Sequence, residues 1–270
     1  FEIDEIIIRN LIIKSIKSNY LKYLLKHTKK LILNFESNFL LIDDMIQTVL
    51  LFDKLCDYPK HFSISIKISQ PNGRFILASD YFTNFKWVKE MSIGDFANIR
   101  ICYNSLESMA QLKKLNFYNN FLNNINYGSF NGLVNLRKLI LSQNNLEKIE
   151  DSSFIYLSKL KVLNLRSNKL EIIQSLMLSG LKNLLDLDLS INNIGLIEFN
   201  SFIDLTELRR LNLELNKIAI LQSNIFVGLK NLEIMNLSHN CIKSIEFNAL
   251  NNLDSLLNLD ISWNKMVKIE

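Results

Sequence analysis

The C-terminal part of the sequence repeats one short pattern of apolar and polar residues at a fixed interval. Seven successive units each open with a leucine, and the step between them is 24 residues. Positions one, four, six, eleven and fourteen of a unit are apolar, position nine is asparagine, and position nineteen is phenylalanine or leucine. A constant period of this length indicates a repeat architecture in which each unit forms one coil. We number the units as the first to seventh regular coils, which begin at Leu112, Leu136, Leu160, Leu184, Leu208, Leu232 and Leu256.

The start of each coil predicts a short β-strand. Apolar residues at positions four and six enclose a variable residue at position five, as in Leu163-Asn164-Leu165. This alternation is typical of a strand with one buried and one exposed face. Stacked coils bring these strands into one parallel sheet, and the bulkier return segments need more room on the opposite side. The stack is therefore expected to curve, with the sheet on its concave side and the position-nineteen phenylalanines along the convex wall.

The recurring asparagine at position nine predicts a structural ladder. It stands where the chain leaves the strand, so backbone groups there lose both water and strand partners. An asparagine side chain offers one acceptor and two donors, which allows it to bond to its own turn and to the neighbouring coil. We therefore expect none of these seven residues to be catalytic: Asn120, Asn144, Asn168, Asn192, Asn216, Asn240 and Asn264.

Upstream of Leu112 the pattern continues in degenerate form. Ile3, Ile6 and Ile8 fit positions one, four and six, and further units are expected near Thr28, His61 and Val88. In this frame Leu31 and Leu33, Ile64 and Ile66, and Met91 and Ile93 fill positions four and six. We thus predict one solenoid over residues 1–270 with about eleven coils, irregular over 1–111 and regular over 112–270.

The full pattern, LxxLxLxxNxLxxIxxxxFxxLxx, resembles the leucine-rich repeat family in its 24-residue form, familiar from Toll-like receptor ectodomains and arthropod adhesion proteins. That resemblance implies an α/β fold, a curved horseshoe-shaped solenoid with a parallel sheet on its concave face. It implies a non-enzymatic protein-protein recognition module, a fragment of an extracellular or cell-surface receptor or adhesion protein. The alternatives are an intracellular scaffold or regulatory subunit of the same fold, in the cytoplasm, and an adhesion protein that pairs with itself.

Composition and motifs narrow the range of functions that this chain is expected to have. The chain is 48% hydrophobic with a formal net charge of +4, which favours a folded domain and gives no single-sign field for nucleic acid. No apolar run is long enough to predict a membrane span. Glycine-rich phosphate loops are absent from the sequence, and no histidine stands in a nucleophile or metal-ligand arrangement, so we expect no enzyme activity, cofactor or metal. Cys56, Cys102 and Cys241 form no metal-binding or redox motif.

A partner is expected on the exposed strand positions, namely two, three, five, seven and eight of each coil. Charge is polarised along this face. The first three regular coils offer Lys113, Lys114, Arg137, Lys138, Lys161 and Arg166, and the later ones offer Asp186, Asp188, Glu214, Glu233 and Asp260. Binding energy at interfaces concentrates in aromatic, arginine and large apolar side chains. The predicted partner-binding residues are therefore Tyr118, Arg137, Ile140, Arg166, Ile191, Leu215, His239 and Trp263.

Overall fold

The computed structural model of the chain describes residues 88–95 and 98–269, together with four earlier strands. Upstream of Leu112 the strands are β1 Ile3–Arg9, β2 Thr28–Glu36, β3 Ser63–Ser69, β4 Arg74–Leu77, β5 Glu90–Gly94 and β6 Asn98–Ile101. Each regular coil then contributes a strand of three residues and a strand of two: β7 Lys114–Asn116, β8 Asn124–Ile125, β9 Lys138–Ile140, β10 Lys148–Ile149, β11 Val162–Asn164, β12 Ile172–Ile173, β13 Asp186–Asp188, β14 Leu196–Ile197, β15 Arg210–Asn212, β16 Ile220–Leu221, β17 Ile234–Asn236, β18 Ser244–Ile245, β19 Asn258–Asp260 and β20 Lys268–Ile269.

One parallel sheet runs through the solenoid. It holds eleven strands in the order β1-β2-β3-β5-β7-β9-β11-β13-β15-β17-β19. Within the regular coils each strand pairs with the equivalent residues 24 positions later, as Leu163 does with Leu187. The predicted solenoid with a parallel sheet on its concave face is confirmed, and the return segments of the regular coils consist of turns and two-residue strands.

The predicted frame of the early coils is wrong by two residues. Ile64 stands opposite Leu31 as expected, but Met91 of β5 pairs with Ile66 of β3 rather than with Ile64. The three coils that hold β1, β2 and β3 are therefore shifted together against the regular frame. A shift of two leaves every side chain on its original face of the sheet. An apolar alternation of period two cannot reveal such a shift.

The core is a continuous column of leucine and phenylalanine. Leucines at positions one, four and six are buried in each of the first six regular coils, apart from Met235 and Phe117, which take the same places. Phe130, Phe154, Phe202 and Phe226 are among the largest fully buried side chains. Phe130 stacks on Phe154 with ring centroids 5.8 Å apart, and Phe202 stacks on Phe226 at 6.0 Å. The predicted phenylalanine wall is confirmed.

The position-nine asparagines form the predicted ladder. Asn192 donates from Nδ2 to the carbonyl oxygens of Leu189 at 3.0 Å in its own turn and Leu165 at 3.1 Å in the preceding coil. Its Oδ1 accepts the backbone N–H of Leu170, also in the preceding coil, at 3.1 Å. The same set of bonds recurs at Asn168 and Asn216. Each buried amide therefore satisfies backbone groups of two coils at once.

The two-residue strands form a second ladder that is interrupted. β8 pairs with β10, β12 with β14, β16 with β18, and β18 with β20. This ladder is therefore broken between β10 and β12 and between β14 and β16. Where it is paired, a glutamate at position fifteen accepts a backbone N–H of the preceding coil. Glu150, Glu198 and Glu246 bind the N–H groups of Tyr127, Ser175 and Ser223 at 2.8–2.9 Å. Gln174 and Gln222 occupy the same position at the two breaks.

Glycines mark the alternate junctions. Gly180 and Gly228, at position twenty-one of the third and fifth regular coils, adopt φ values of 86° and 104°. A Cβ atom on Gly228 would lie 2.3 Å from the carbonyl oxygen of Phe202 in the preceding coil, which no side chain tolerates. Among the first six regular coils, consecutive coils are thus joined alternately by a glutamate with a paired second ladder and by a glycine at close approach, whereas the sixth and seventh coils are joined by a second paired ladder in succession.

No described helix is long and apolar enough to cross a membrane. Cys102 and Cys241 are free and half-buried. Cys56, His27 and His61 lie outside the described residues.

The Asn192→Leu variant is predicted to be less stable although it adds apolar volume. The substitution leaves the N–H of Leu170 without its partner. It also removes one of two amide donors from each of the carbonyl groups of Leu165 and Leu189, which keep Asn168 and Asn216. An unsatisfied buried backbone group costs about 1–3 kcal/mol, and we expect a loss in that range in the free energy of unfolding by urea denaturation. The Asn193→Leu variant is the control, since that half-buried side chain makes no recorded hydrogen bond. Equal stability of the Asn192→Leu variant and the parent would contradict the ladder.

Candidate concave binding surface

The exposed side of the main sheet presents positions two, three, five, seven and eight of each coil. In β9, for example, Leu139 is buried while Lys138 is exposed and Ile140 is half-buried. Position seven is only partly as predicted, because Ser142, Ser190 and Ser238 are buried there. A serine at this place is short enough to lie against the sheet, and the Ser190 and Ser238 hydroxyls bind the position-five side chains Asp188 and Asn236. Where position seven is larger, as at Tyr118 and Arg166, the side chain extends outward.

Position five carries a cap in six of the seven regular coils. An asparagine or aspartate there accepts the backbone N–H of position seven at 2.9–3.0 Å, which fixes the turn at the end of the strand. Ile140 is the exception: its apolar, half-buried side chain cannot accept the N–H of position seven. The second regular coil therefore lacks the cap bond that the other six regular coils share.

Position eight adopts a left-handed backbone in every regular coil. The φ values are 58° at Asn119, 53° at Gln143, 55° at Ser167, 54° at Ile191, 55° at Leu215, 54° at His239 and 56° at Trp263. Asparagine and histidine tolerate this conformation, whereas bulky and β-branched residues rarely adopt it. Ile191 and Leu215 therefore carry a conformational cost of about 1–2 kcal/mol each. Strain of this kind concentrates at functional sites, where a side chain is kept for what it contacts.

The position-eight side chains form a continuous column. Each of these residues except Trp263 donates its backbone N–H to the carbonyl of position seven in the next coil, as Ile191 does to Glu214 at 2.9 Å and Leu215 to Ser238 at 3.1 Å. Consecutive members are therefore neighbours on the surface. The rings of His239 and Trp263 stack with centroids 5.3 Å apart and planes tilted by 7°. The column becomes apolar and aromatic from Ile191 onward.

The column lies beside acidic groups. Asp260 accepts hydrogen bonds from the hydroxyl and backbone N–H of Ser262, which hold the pKa of its carboxyl below the ordinary value, with a smaller contribution from His239. The carboxylate of Asp188 binds Ser190. Two arginines on the later coils are paired, Arg209 with Glu233 and Arg210 with Asp186, each at 2.9 Å. This half of the concave surface therefore joins apolar side chains to a net negative charge.

All eight predicted partner-binding residues lie on this surface, but in two groups. Tyr118, Arg137, Ile140 and Arg166 lie on the first three regular coils, and the Arg166 guanidinium donates to the Ser190 hydroxyl at 2.7 Å. Ile191, Leu215, His239 and Trp263 form the apolar end of the column. Leu215, 43% exposed, is an interior member, whereas Trp263, 76% exposed, lies on the seventh regular coil, the last one described. Their role in binding stays a prediction.

Sequence reasoning missed a second apolar surface on the side of the coils. Ile172, Leu196 and Ile220 occupy position thirteen of three consecutive coils and are 39–50% exposed. A cleft of about 150 Å³ opens there between β14 and β16, where the second ladder is broken. The signal was available in the sequence as an apolar column at one position of the period. We name Ile172, Leu196 and Ile220 the lateral patch.

Titratable side chains in the described ranges include one hydrogen-bonded tyrosine pair. No group of three or more His, Cys, Asp or Glu residues among them is arranged to hold a metal ion. Tyr127 and Tyr156 share a hydrogen bond of 3.0 Å between their hydroxyls, which raises the pKa of Tyr156. That pair is exposed and lies away from the concave surface.

A solenoid of parallel coils with one continuous sheet defines a repeat protein. Residues 99–146, 134–194 and 206–266 match the family model described as leucine rich repeat, over more than half of the chain. The chain therefore belongs to the leucine-rich repeat family. No curated protein sequence matches it.

Solved structures share the fold at low sequence identity. The glycosylated form of the Toll–Spatzle complex from Drosophila aligns over 100% of this chain and 38% of its own, at a TM-score of 0.77 and 17% identity. Another structure of that complex aligns over 97% and 40%, at 0.66 and 17%. A crystal structure of TLR13 with ssRNA13 aligns over 92% and 42%, at 0.62 and 19%. The chain thus spans about two fifths of the length of these proteins.

The Ile191→Asn variant is predicted to be more stable than the parent. Asparagine adopts a left-handed backbone more readily than isoleucine, and Asn119 already holds the equivalent place in the first regular coil. We expect the free energy of unfolding in urea to rise by about 1 kcal/mol.

The same substitution in the lateral patch, Ile172→Asn, is the matched control. Ile172 is a comparably exposed isoleucine whose φ is not positive, so no strain is relieved and no gain in stability is expected. A loss of stability at both positions would show that the backbone at Ile191 is not strained.

Proposed function

We propose that this chain is part of a non-enzymatic recognition protein of the extracellular or cell-surface type, which binds a protein partner on its concave sheet. The position-eight column carries the proposal. Ile191 and Leu215 keep side chains that the backbone disfavours and that contribute to the surface rather than to the core. A side chain that costs stability and remains accessible is best explained by a contact with a partner.

The size of the sheet supports a protein ligand. Eleven strands at about 4.8 Å extend over roughly 50 Å. A standard protein interface covers about 800 Å² on each partner, which such a sheet accommodates. The fold neighbours include Toll in a complex with Spatzle, a protein-protein assembly.

An intracellular scaffold or regulatory subunit is the second candidate. The observation that favours it is the pair of free, half-buried thiols at Cys102 and Cys241. Free thiols are the rule in reducing compartments, whereas secreted proteins more often oxidise their cysteines. Expression of the full-length protein in its native cell type, followed by separation of secreted, membrane and cytosolic material, distinguishes the two candidates.

Replacement of Ile191 and Leu215 by serine is predicted to weaken partner binding without loss of fold. The wild-type chain is first used to probe an array of purified ectodomains, and affinity for the partner found is then measured by surface plasmon resonance. Loss of two apolar anchors from an interface centre is expected to weaken binding at least about tenfold. Both residues lie inside the array, so their exposure does not depend on the last coil.

Serine substitutions at Leu196 and Ile220 in the lateral patch are the matched control, since they remove similar exposed apolar area elsewhere. Circular dichroism should be unchanged in both double variants. If affinity falls for the lateral pair and not for Ile191 and Leu215, the site lies on the side of the solenoid and the proposal is wrong.

A further inference from the structure

The concave side of the first three regular coils is uniformly basic. We name Lys113, Lys114, Arg137, Lys138, Lys161 and Arg166 the basic face. Lys114 and Lys138 stand directly opposite each other in the sheet. Arg137 donates its backbone N–H to the carbonyl of Lys113 at 2.8 Å, and Lys161 to that of Arg137 at 2.9 Å, so these residues are neighbours as well.

No acid neutralises the basic face from within. Positions two, three, five, seven and eight of these coils contain no aspartate or glutamate. The ion pairs recorded among the described side chains join Arg209 to Glu233 and Arg210 to Asp186, on later coils. Two acids of the preceding coil border the basic face: Glu90 stands opposite Lys114, and Asp95 accepts a hydrogen bond from the Asn119 side chain at 3.0 Å. Burial and, secondarily, the charge of Lys113 lower the pKa of Lys89 at the edge of this field.

Fold stability does not explain this arrangement. Like charges directly opposite each other on neighbouring strands destabilise a sheet, as Lys114 and Lys138 do here. The same face also contains Ile140, which replaces the position-five cap in the second regular coil, and the exposed ring of Tyr118. An apolar and aromatic centre within a polar rim is typical of a protein interface.

The charge of the rest of the sheet decides which kind of partner fits. The fourth to seventh regular coils bring five acids against two arginines to the concave positions. A nucleic acid lying along the sheet would meet repulsion over those coils, whereas a protein can present opposite charges at its two ends. Complementary potentials of this kind orient a partner and suppress the reversed complex.

We propose that the basic face binds an acidic segment of the protein partner and thereby fixes the direction in which that partner lies along the sheet. The acidic part covers the first three regular coils, and an apolar part with basic groups covers the column from Ile191 to Trp263. This inference rests on the proposed function and adds the chemistry and polarity of the partner.

The test uses the folded chain with a fluorescein-labelled oligoglutamate peptide as the probe and fluorescence anisotropy as the readout. The Lys114→Glu, Lys138→Glu double variant should lower affinity for the peptide by about tenfold or more, because two attractive contacts become repulsive. The milder Lys114→Gln, Lys138→Gln pair should lower it less, in the same direction. Affinity of the parent should also fall as salt rises, since exposed charges are screened.

The matched control is the Lys148→Glu, Lys182→Glu pair, two exposed lysines outside the concave sheet that give the same change in net charge. Its affinity for the peptide should stay within about threefold of the parent. An equal loss in both glutamate variants means that only overall charge matters and overturns the inference. Absence of peptide binding to the parent at low salt also overturns the inference.

An oligouridylate of equal charge is the competing probe. Tighter binding of oligouridylate than of the peptide, lost in the Lys114→Glu, Lys138→Glu variant, assigns the basic face to nucleic acid and overturns the inference.

The protein partner found with the ectodomain array distinguishes the failure of this inference from the failure of the proposed function. Binding of that partner that depends on Ile191 and Leu215 but not on Lys114 and Lys138 overturns the basic-face inference alone. Binding that depends on neither pair overturns the proposed function itself.

Discussion

The hydrogen bonds of the position-nine asparagine are the constraint on which the rest of the solenoid depends. A coil of 24 residues must turn its backbone inward once per repeat, where neither water nor a strand can pair its polar groups. One side chain resolves this by accepting an N–H of the preceding coil and donating to carbonyls of both coils, as at Asn192. Because the amide ties two coils together, its repetition sets the distance and direction of each step. The leucine core fills a space that these bonds have already defined.

Because the ladder asparagines pair the backbone groups, the exposed sheet positions are not needed for that purpose. Residues there that depart from the local structural preference therefore point to function. Most coils still use position five to cap the turn, and Ile140 does not. Asparagine would suit the left-handed backbone of position eight, yet Ile191 and Leu215 stand there. The basic face adds a third departure, in electrostatics. The missing cap bond, the disfavoured backbone conformation and the like-charge repulsion thus all lie on the concave surface, while the buried face keeps the apolar pattern of the repeat.

Much of this fold could be predicted from the sequence, because the 24-residue period and the residue types at fixed positions determine it. The leucine spacing predicted the sheet, and Asn192 and Phe202 took their predicted roles. The frame of the early coils was not accessible, since a shift of two residues moves Ile64 and Ile66 without changing their side of the sheet. Burial of Ser190 at position seven depended on a hydrogen bond to its neighbour rather than on polarity. The candidate site was predicted as a set of outward positions, but the strain at Ile191 required the backbone itself.

The alternation of glutamate and glycine junctions bears on how the array would respond to deletion of coils. Glu150, Glu198 and Glu246 stand in the second, fourth and sixth regular coils, and Gly132, Gly180 and Gly228 in the first, third and fifth. The seventh regular coil departs from this order, because Glu270 follows Glu246 after one period. Within the first six coils, excision of one pair would bring matching ends together. Excision of a single coil there would join two ends of different kinds.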